Sequence, residues 1–155
     1  MGVFEKAIIF GEDILPYIPQ RPPMVMVDSY YGSKDEASFT GFTIADDSLF
    51  CIGGFLQEVG IIEHIAQSAA VSAGIEFVEK AEEVPVGFIG AVSKFNVVRL
   101  PRVRETLHTT IKVIQKFIDV SLIYSEVKVD EDIVATGELK IFLQKKNSDN
   151  QIDYA

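Results

Sequence analysis

Gln57–Phe77, QEVGIIEHIAQSAAVSAGIEF, decides the fold. It holds no proline, and its spacing predicts one long helix over 57–77. With Ile62 at zero and about 100° per residue, Val59, Ile62, Ala66, Ala69, Ala70 and Ala73 fall in one stripe. Four of those six are alanine. Helix propensity alone is one reason for alanine. Its restriction to one face points instead to a sheet packed closely against that stripe. Val59–Ile75 is the most apolar stretch of the chain, but Glu63, His64 and Gln67 near its start mark a buried helix, not a membrane span.

Upstream, Asp13–Tyr17 reads as a short helix or turn. Prolines at 16, 19, 22 and 23 then forbid a long helix. Met24–Tyr31 is a strand candidate, followed by a turn at Gly32-Ser33-Lys34-Asp35 and a second strand over Ala37–Ile44. Asp46–Phe55 reads as irregular and holds Gly53-Gly54. Downstream, Glu79–Pro85 is acidic and solvated. Val86–Val98, Glu105–Phe117, Val120–Val129 and Ile133–Gln144 are long strand candidates separated by Leu100-Pro101-Arg102, Asp119 and Asp130-Glu131-Asp132. One helix among six strands predicts an α+β domain, an antiparallel sheet curled around a central helix. The domain spans 1–145, with a frayed polar tail over 146–155.

Composition limits the function. The chain has 155 residues and a formal charge of −9, which argues against a nucleic-acid binder and against docking on anionic membrane. Cys51 is the one cysteine and has no internal disulfide partner. One cysteine and two histidines are a poor kit for zinc, so no metal is expected. The N-terminal MGVFEKAIIFGEDI lacks the order of a signal peptide, and the expectation is a soluble cytoplasmic domain. Of four arginines, Arg99, Arg102 and Arg104 cluster within six residues.

Chemistry is expected on the helix. Glu63 lies at the edge of the apolar stripe, with Gln67 one turn on and Gly60 and Gly74 leaving space on that flank. A carboxylate against an apolar wall can act as acid or base. The same pattern fits a half-exposed glutamate held by Gln67 and backbone donors. His64 projects opposite the stripe, toward solvent or a partner. His108 has the parity of the outer sheet face. Cys51 reads as a small buried residue rather than a nucleophile.

These residues carry a resemblance. Asp13-Ile14-x-x-Tyr17-x-Pro19-Gln20-Arg21-x-Pro23-x-x-x-Val27-Asp28 resembles the start of the beta-hydroxyacyl-acyl-carrier-protein dehydratases of the FabZ/FabA type. Ile61–Ala70 resembles their central helix, and Phe88-Ile89-Gly90 with the Arg-Leu-Pro-Arg stretch resembles the strand and loop after that helix. The likeness covers roughly 12–145. It implies a hotdog fold whose subunits join edge to edge as a homodimer or heterodimer. It further implies a 3-hydroxyacyl thioester in an interface tunnel, carried on the phosphopantetheine of an acyl carrier protein, with no cofactor of the protein's own. Glu63 would be the catalytic acid, supported by Gln67, Glu58, Phe55 and Gly90. Arg99, Arg102 and Arg104 would dock the acidic carrier protein; a solubilising turn is the other reading of that loop.

The sequence departs from that family at its base. The position of the loop histidine is Leu49, and no histidine precedes Glu63. Gln20 replaces the histidine of the proline-rich lead-in, and Gln57-Glu58 replaces the proline-glycine at the helix start. Val59-Gly60-Ile61-Ile62-Glu63 resembles the helix start of dehydratase-like proteins of aryl-polyene clusters, some of which lack the loop histidine and pair with a catalytic homologue. Four readings stand open: an active dehydratase, a non-catalytic partner subunit, a thioesterase using Glu63, or an acyl-binding module.

Overall fold

The computed structural model describes residues 2–144; the tail over 146–155 lies outside them. Its strands are β1 (Ile9–Phe10), β2 (Ser29–Lys34), β3 (Ala37–Thr43), β4 (Cys51–Ile52), β5 (Phe55–Leu56), β6 (Val86–Val97), β7 (Thr106–Lys116), β8 (Val120–Val129) and β9 (Asp132–Gln144). A 3-10 helix covers Gly11–Tyr17 and one long helix, α1, covers Glu58–Glu79. All strands except β4 and β5 form one antiparallel sheet in the order β1-β2-β3-β7-β8-β9-β6. The expected six-stranded sheet gains β1 at one edge.

Strand alternation explains why β7 to β9 form. Leu107, Thr109 and Ile111 of β7 are buried, as are Ile123, Ser125, Val127 and Val129 of β8, each two residues apart. These residues face α1. The apolar ones join Ile61, Ile65, Val134, Ala135 and Leu139 in the larger core cluster. A second cluster of Ile14, Ile18, Val27, Tyr30 and Val71 seats the 3-10 helix on the far half of α1. Gly74 permits that contact, since a Cβ there would run into the Tyr17 carbonyl.

Three sequence expectations are corrected. The strand expected over Met24–Tyr31 is β2 and begins at Ser29, because the helix claims the backbone before it. Met26 N–H donates to Gln67 Oε1 at 2.6 Å, and Met26 C=O accepts from His64 Nδ1 at 2.6 Å. The turn after it centres on Asp35-Glu36, both with positive φ, while Gly32 is a bulge within β2. Asp46–Phe55 is not wholly irregular. It includes the β4–β5 hairpin, closed by Gly53 (φ 59°) and Gly54 (φ 84°), a two-residue turn that glycine makes without strain.

The helix presents a different face from the one expected. Gly60, Ile61, His64, Ile65, Gln67, Ser68, Val71 and Gly74 are buried. Val59 is 57% exposed, and Ile62, Ala66, Ala69, Ala70 and Ala73 are only half-buried. The sheet-facing side carries polar residues one turn apart: His64, Ser68 and Ser72. They bond Thr109, Thr40 and Ser38 of the sheet at 2.7, 2.7 and 2.6 Å. Buried polar groups are tolerable when paired in this way. A hydropathy period cannot show such pairing, so by periodicity the alanine stripe is the better core face.

Candidate functional site

Glu63 sits half-buried on the first half of α1. Its Oε1 accepts from Gln67 Nε2 at 2.8 Å. Gln67 is fully buried; its Nε2 also donates to Met24 O at 2.7 Å, and its Oε1 is held by Met26 N–H. The backbone N–H can only donate, so it fixes the amide orientation: oxygen toward Met26, nitrogen toward Glu63. Glu63 is thus satisfied by Gln67, in keeping with the plainer reading of the helix.

Neither histidine of the chain is placed to work with Glu63. His64 is 0% exposed. Its Nδ1 donates to Met26 O, so in the neutral ring Nε2 accepts from the Thr109 hydroxyl. Burial pushes its pKa down to about 4, only partly opposed by the Met26 carbonyl. This corrects the expectation that His64 faces solvent or a partner. His108 lies on the outer face as expected. There it stacks on Phe4 and meets the Tyr31 ring edge-on, and its pKa is lowered chiefly by burial. Leu49, at the family's histidine position, is 48% exposed.

The remaining candidates scatter. Glu58 is exposed in the first turn of α1. Phe55, at the hairpin, lies under the Arg102 guanidinium at 5.5 Å. Gly90 sits at a bulge of β6, where a Cβ would strike the Phe142 ring, so packing alone requires glycine. Cys51 is half-buried against the core. Among the described residues no cluster could hold a metal ion, and no helix is long and apolar enough to cross a membrane.

The arginine loop is largely self-paired. Arg99 grips both oxygens of Glu105 at 2.9 Å, which raises the arginine pKa and lowers that of Glu105. Arg104 bonds Asp46 at 2.9 Å. Arg102 lies across Phe55 instead. Phe55, Arg99, Leu100, Arg102 and Glu105 line a cavity of about 370 Å³. A larger one, about 700 Å³, lies toward the far end of α1 between Tyr17, Tyr30, Phe39 and Ile75. Glu63 lines neither.

One sheet edge is unpartnered. Among the described residues β6 pairs only with β9, so its other edge is open over 12 residues. Ile89 and Val92 pair with Ile141 and Leu139, on the helix side of the sheet, yet both are exposed.

His64 and the segment it holds are not visible as a unit in the sequence. Their one trace is the i, i+4, i+8 recurrence of His64, Ser68 and Ser72.

Known proteins share this fold. A family model described as ApeP-like, ApeP dehydratase, matches residues 12–152. No curated protein matches. Among solved structures, the dehydratase heterocomplex ApeI:P from Xenorhabdus doucetiae aligns with TM-score 0.79 at 19% identity, covering 88% of this chain and 93% of that one. The protein smu.793 from Streptococcus mutans bound to acetyl CoA aligns with TM-score 0.60 at 12% identity, covering 82% and 95%. The PaaI protein of E. coli, from the phenylacetic acid degradation operon, aligns with TM-score 0.57 at 11% identity, covering 73% and 80%. At these identities the likeness shows the fold, which is of the hotdog type.

Proposed function

The chain belongs to the ApeP-like dehydratase family, and from that premise we propose that it is one subunit of a heterodimeric 3-hydroxyacyl thioester dehydratase. It contributes Glu63 to a composite site whose base belongs to a homologous subunit. The observation that carries this reading is the placement of its two histidines. His64 is sealed between Met26 and Thr109, and His108 lies on the outer sheet face under Phe4. A dehydration that uses histidine therefore needs one from another chain. The similar ApeI:P structure is a heterocomplex, which fits this arrangement.

In the proposed reaction the partner's base takes the proton from the carbon next to the thioester carbonyl. The carbon–oxygen bond at the neighbouring carbon breaks, and the hydroxyl leaves as water with a proton from Glu63. The product is the enoyl thioester. Gln67 keeps the acid aimed. The open β6 edge, with exposed Ile89 and Val92, is the surface offered to the homologous sheet. Arg102, exposed at the mouth of the smaller cavity, is the arginine best placed to meet an acidic carrier protein or its phosphopantetheine phosphate.

The test is turnover of a 3-hydroxyacyl thioester by this chain alone and with a homologue that keeps the loop histidine. Turnover is expected only with both present, with a drop of about 100-fold for Glu63→Gln in this chain, as for loss of a general acid. Full turnover by the pair carrying Glu63→Gln overturns the assignment. Release of free thiol by this chain alone would make it a thioesterase.

A further inference from the structure

We propose that His64 is a positioning residue for Glu63, acting through the Met26 backbone and the Gln67 amide. This rests on the reading of Glu63 as the acid. The chain of contacts is continuous. His64 Nδ1 donates to Met26 O at 2.6 Å, and Met26 N–H donates to Gln67 Oε1 at 2.6 Å. Gln67 Nε2 then donates to Glu63 Oε1 at 2.8 Å. His64 and Gln67, three residues apart on α1, thus hold both peptide groups of Met26.

Each link removes a freedom. The Met26 backbone lies outside any strand; β2 starts at Ser29, and the nearest sheet bond is Asp28 N–H to Gly41 O of β3. The Met26 backbone groups are held by these two side chains, with the buried Met26 side chain also meeting Ser48 Oγ. Without the bond from His64, the peptide after Met26 loses its anchor and the backbone at Met26 can shift about its Cα. The N–H on the preceding peptide would then drift from Gln67 Oε1, and the amide that presents Nε2 to Glu63 would lose its fixed orientation. The far nitrogen of His64 ties the relay to β7 through Thr109, while the Phe42 ring stacks over the imidazole at 6.0 Å. Every atom of the relay except the Glu63 carboxylate is screened from water, where hydrogen bonds hold direction best. Met26 O accepts and cannot donate, so the relay needs Nδ1–H. The neutral ring meets this with the Thr109 hydroxyl donating to Nε2.

Two substitutions separate positioning from mere core packing. Asparagine at 64 places its amide nitrogen near the site of Nδ1 and keeps the Met26 contact. Glutamine reaches the site of Nε2 and keeps the Thr109 contact. Each loses one buried hydrogen bond. The readouts are the Gln67 side-chain amide resonances in 15N-labelled protein, and kcat and KM of the complex with a homologous dehydratase. His64→Gln should collapse the distinct Gln67 amide shifts and lower kcat about tenfold with KM unchanged; His64→Asn should restore both. Thr109→Val, which cuts the other anchor, should leave the Gln67 resonances in place. Equal behaviour of His64→Asn and His64→Gln, or Gln67 resonances indifferent to His64→Gln, overturns the proposal. If the native complex shows no turnover, the functional reading falls and the Gln67 resonances alone decide the relay. If His64→Gln does not fold, loss of those resonances in His64→Asn overturns it and their retention supports it.

Discussion

Glu63 Oε1 lies 2.8 Å from Gln67 Nε2, one helical turn on, and of the two only the amide is fully buried. The helix therefore spends a core position on orienting a half-exposed carboxylate. Gln67→Leu keeps much of the volume but strips Met26 N–H and Met24 O of their partner. An unsatisfied buried backbone group costs about 1–3 kcal/mol, so a loss of about 2–4 kcal/mol is expected in urea unfolding. A loss under half a kilocalorie would mean that water replaces the amide.

The buried imidazole makes stability depend on pH. The folded pKa of His64 is pushed down to about 4, against about 6.5 unfolded. Above pH 6.5 both states are neutral there and its contribution is complete. Between pH 6.5 and 4 only the unfolded chain takes up the proton, so stability falls, by about 3 kcal/mol over the full window. The groups facing the ring are Met26, Thr109 and Phe42, none of them titratable. His64→Asn should flatten the pH dependence of Tm between 6.5 and 4 relative to the native protein. Parallel profiles would mean that His64 is already charged in the fold.

Most of the sheet is legible in the sequence because it obeys local rules. Val120–Val129 is bounded to the residue, since its inward residues alternate and Asp119 and Asp130 flank it. The features that escape depend on distant partners. Met24–Val27 is an apolar run that reads like a strand, yet the backbone of Met24 and Met26 pairs with side chains some forty residues on. His64, Ser68 and Ser72 look like a polar face until Thr109, Thr40 and Ser38 are seen opposite them. The site is half legible: Glu63 and Gln67 emerge from i, i+4 spacing. Gly90, expected as site support, answers to Phe142. Arg99 and Arg104 answer to Glu105 and Asp46, the latter 58 positions away.

Gly74 sets two magnitudes against each other. In an exposed helix, glycine to alanine gains up to about 1 kcal/mol. Here the new Cβ meets the Tyr17 carbonyl, a backbone atom that cannot rotate away. Overpacking costs about 1–3 kcal/mol and should win. Gly74→Ala is expected to lower Tm and to loosen the 3-10 helix, seen as faster amide exchange at Ile18. A raised Tm would show that the helix shifts freely.

Arg102 differs from its neighbours in what a charge reversal breaks. Reversing Arg99 also releases Glu105, which accepts from the Arg102 backbone N–H at 2.6 Å and so shapes the loop. Arg102→Glu leaves that grip intact. If the loop docks an acidic carrier protein, Arg102→Glu should weaken binding about tenfold at low salt and shrink its salt dependence. Unchanged affinity in a titration at two ionic strengths removes the loop from the docking surface.

The open edge of β6 gives the sharpest test of assembly. Val86–Lys94 are all exposed in the single chain, so polar substitutions there cost the fold little. Ile89 and Val92 point to the helix side, where a joined sheet would bury them. Two lysines at these positions place inward-facing charges on an edge strand, a device that blocks edge-to-edge pairing. Ile89→Lys with Val92→Lys should yield a folded monomer that no longer co-purifies with a homologous subunit. Phe10→Lys, on the exposed β1 at the opposite edge, is the matched control and should leave the complex intact. Mass measured by light scattering reads both. If the complex survives the paired lysines and is lost with Phe10→Lys, the subunits join at β1 and the composite site at Glu63 must be abandoned.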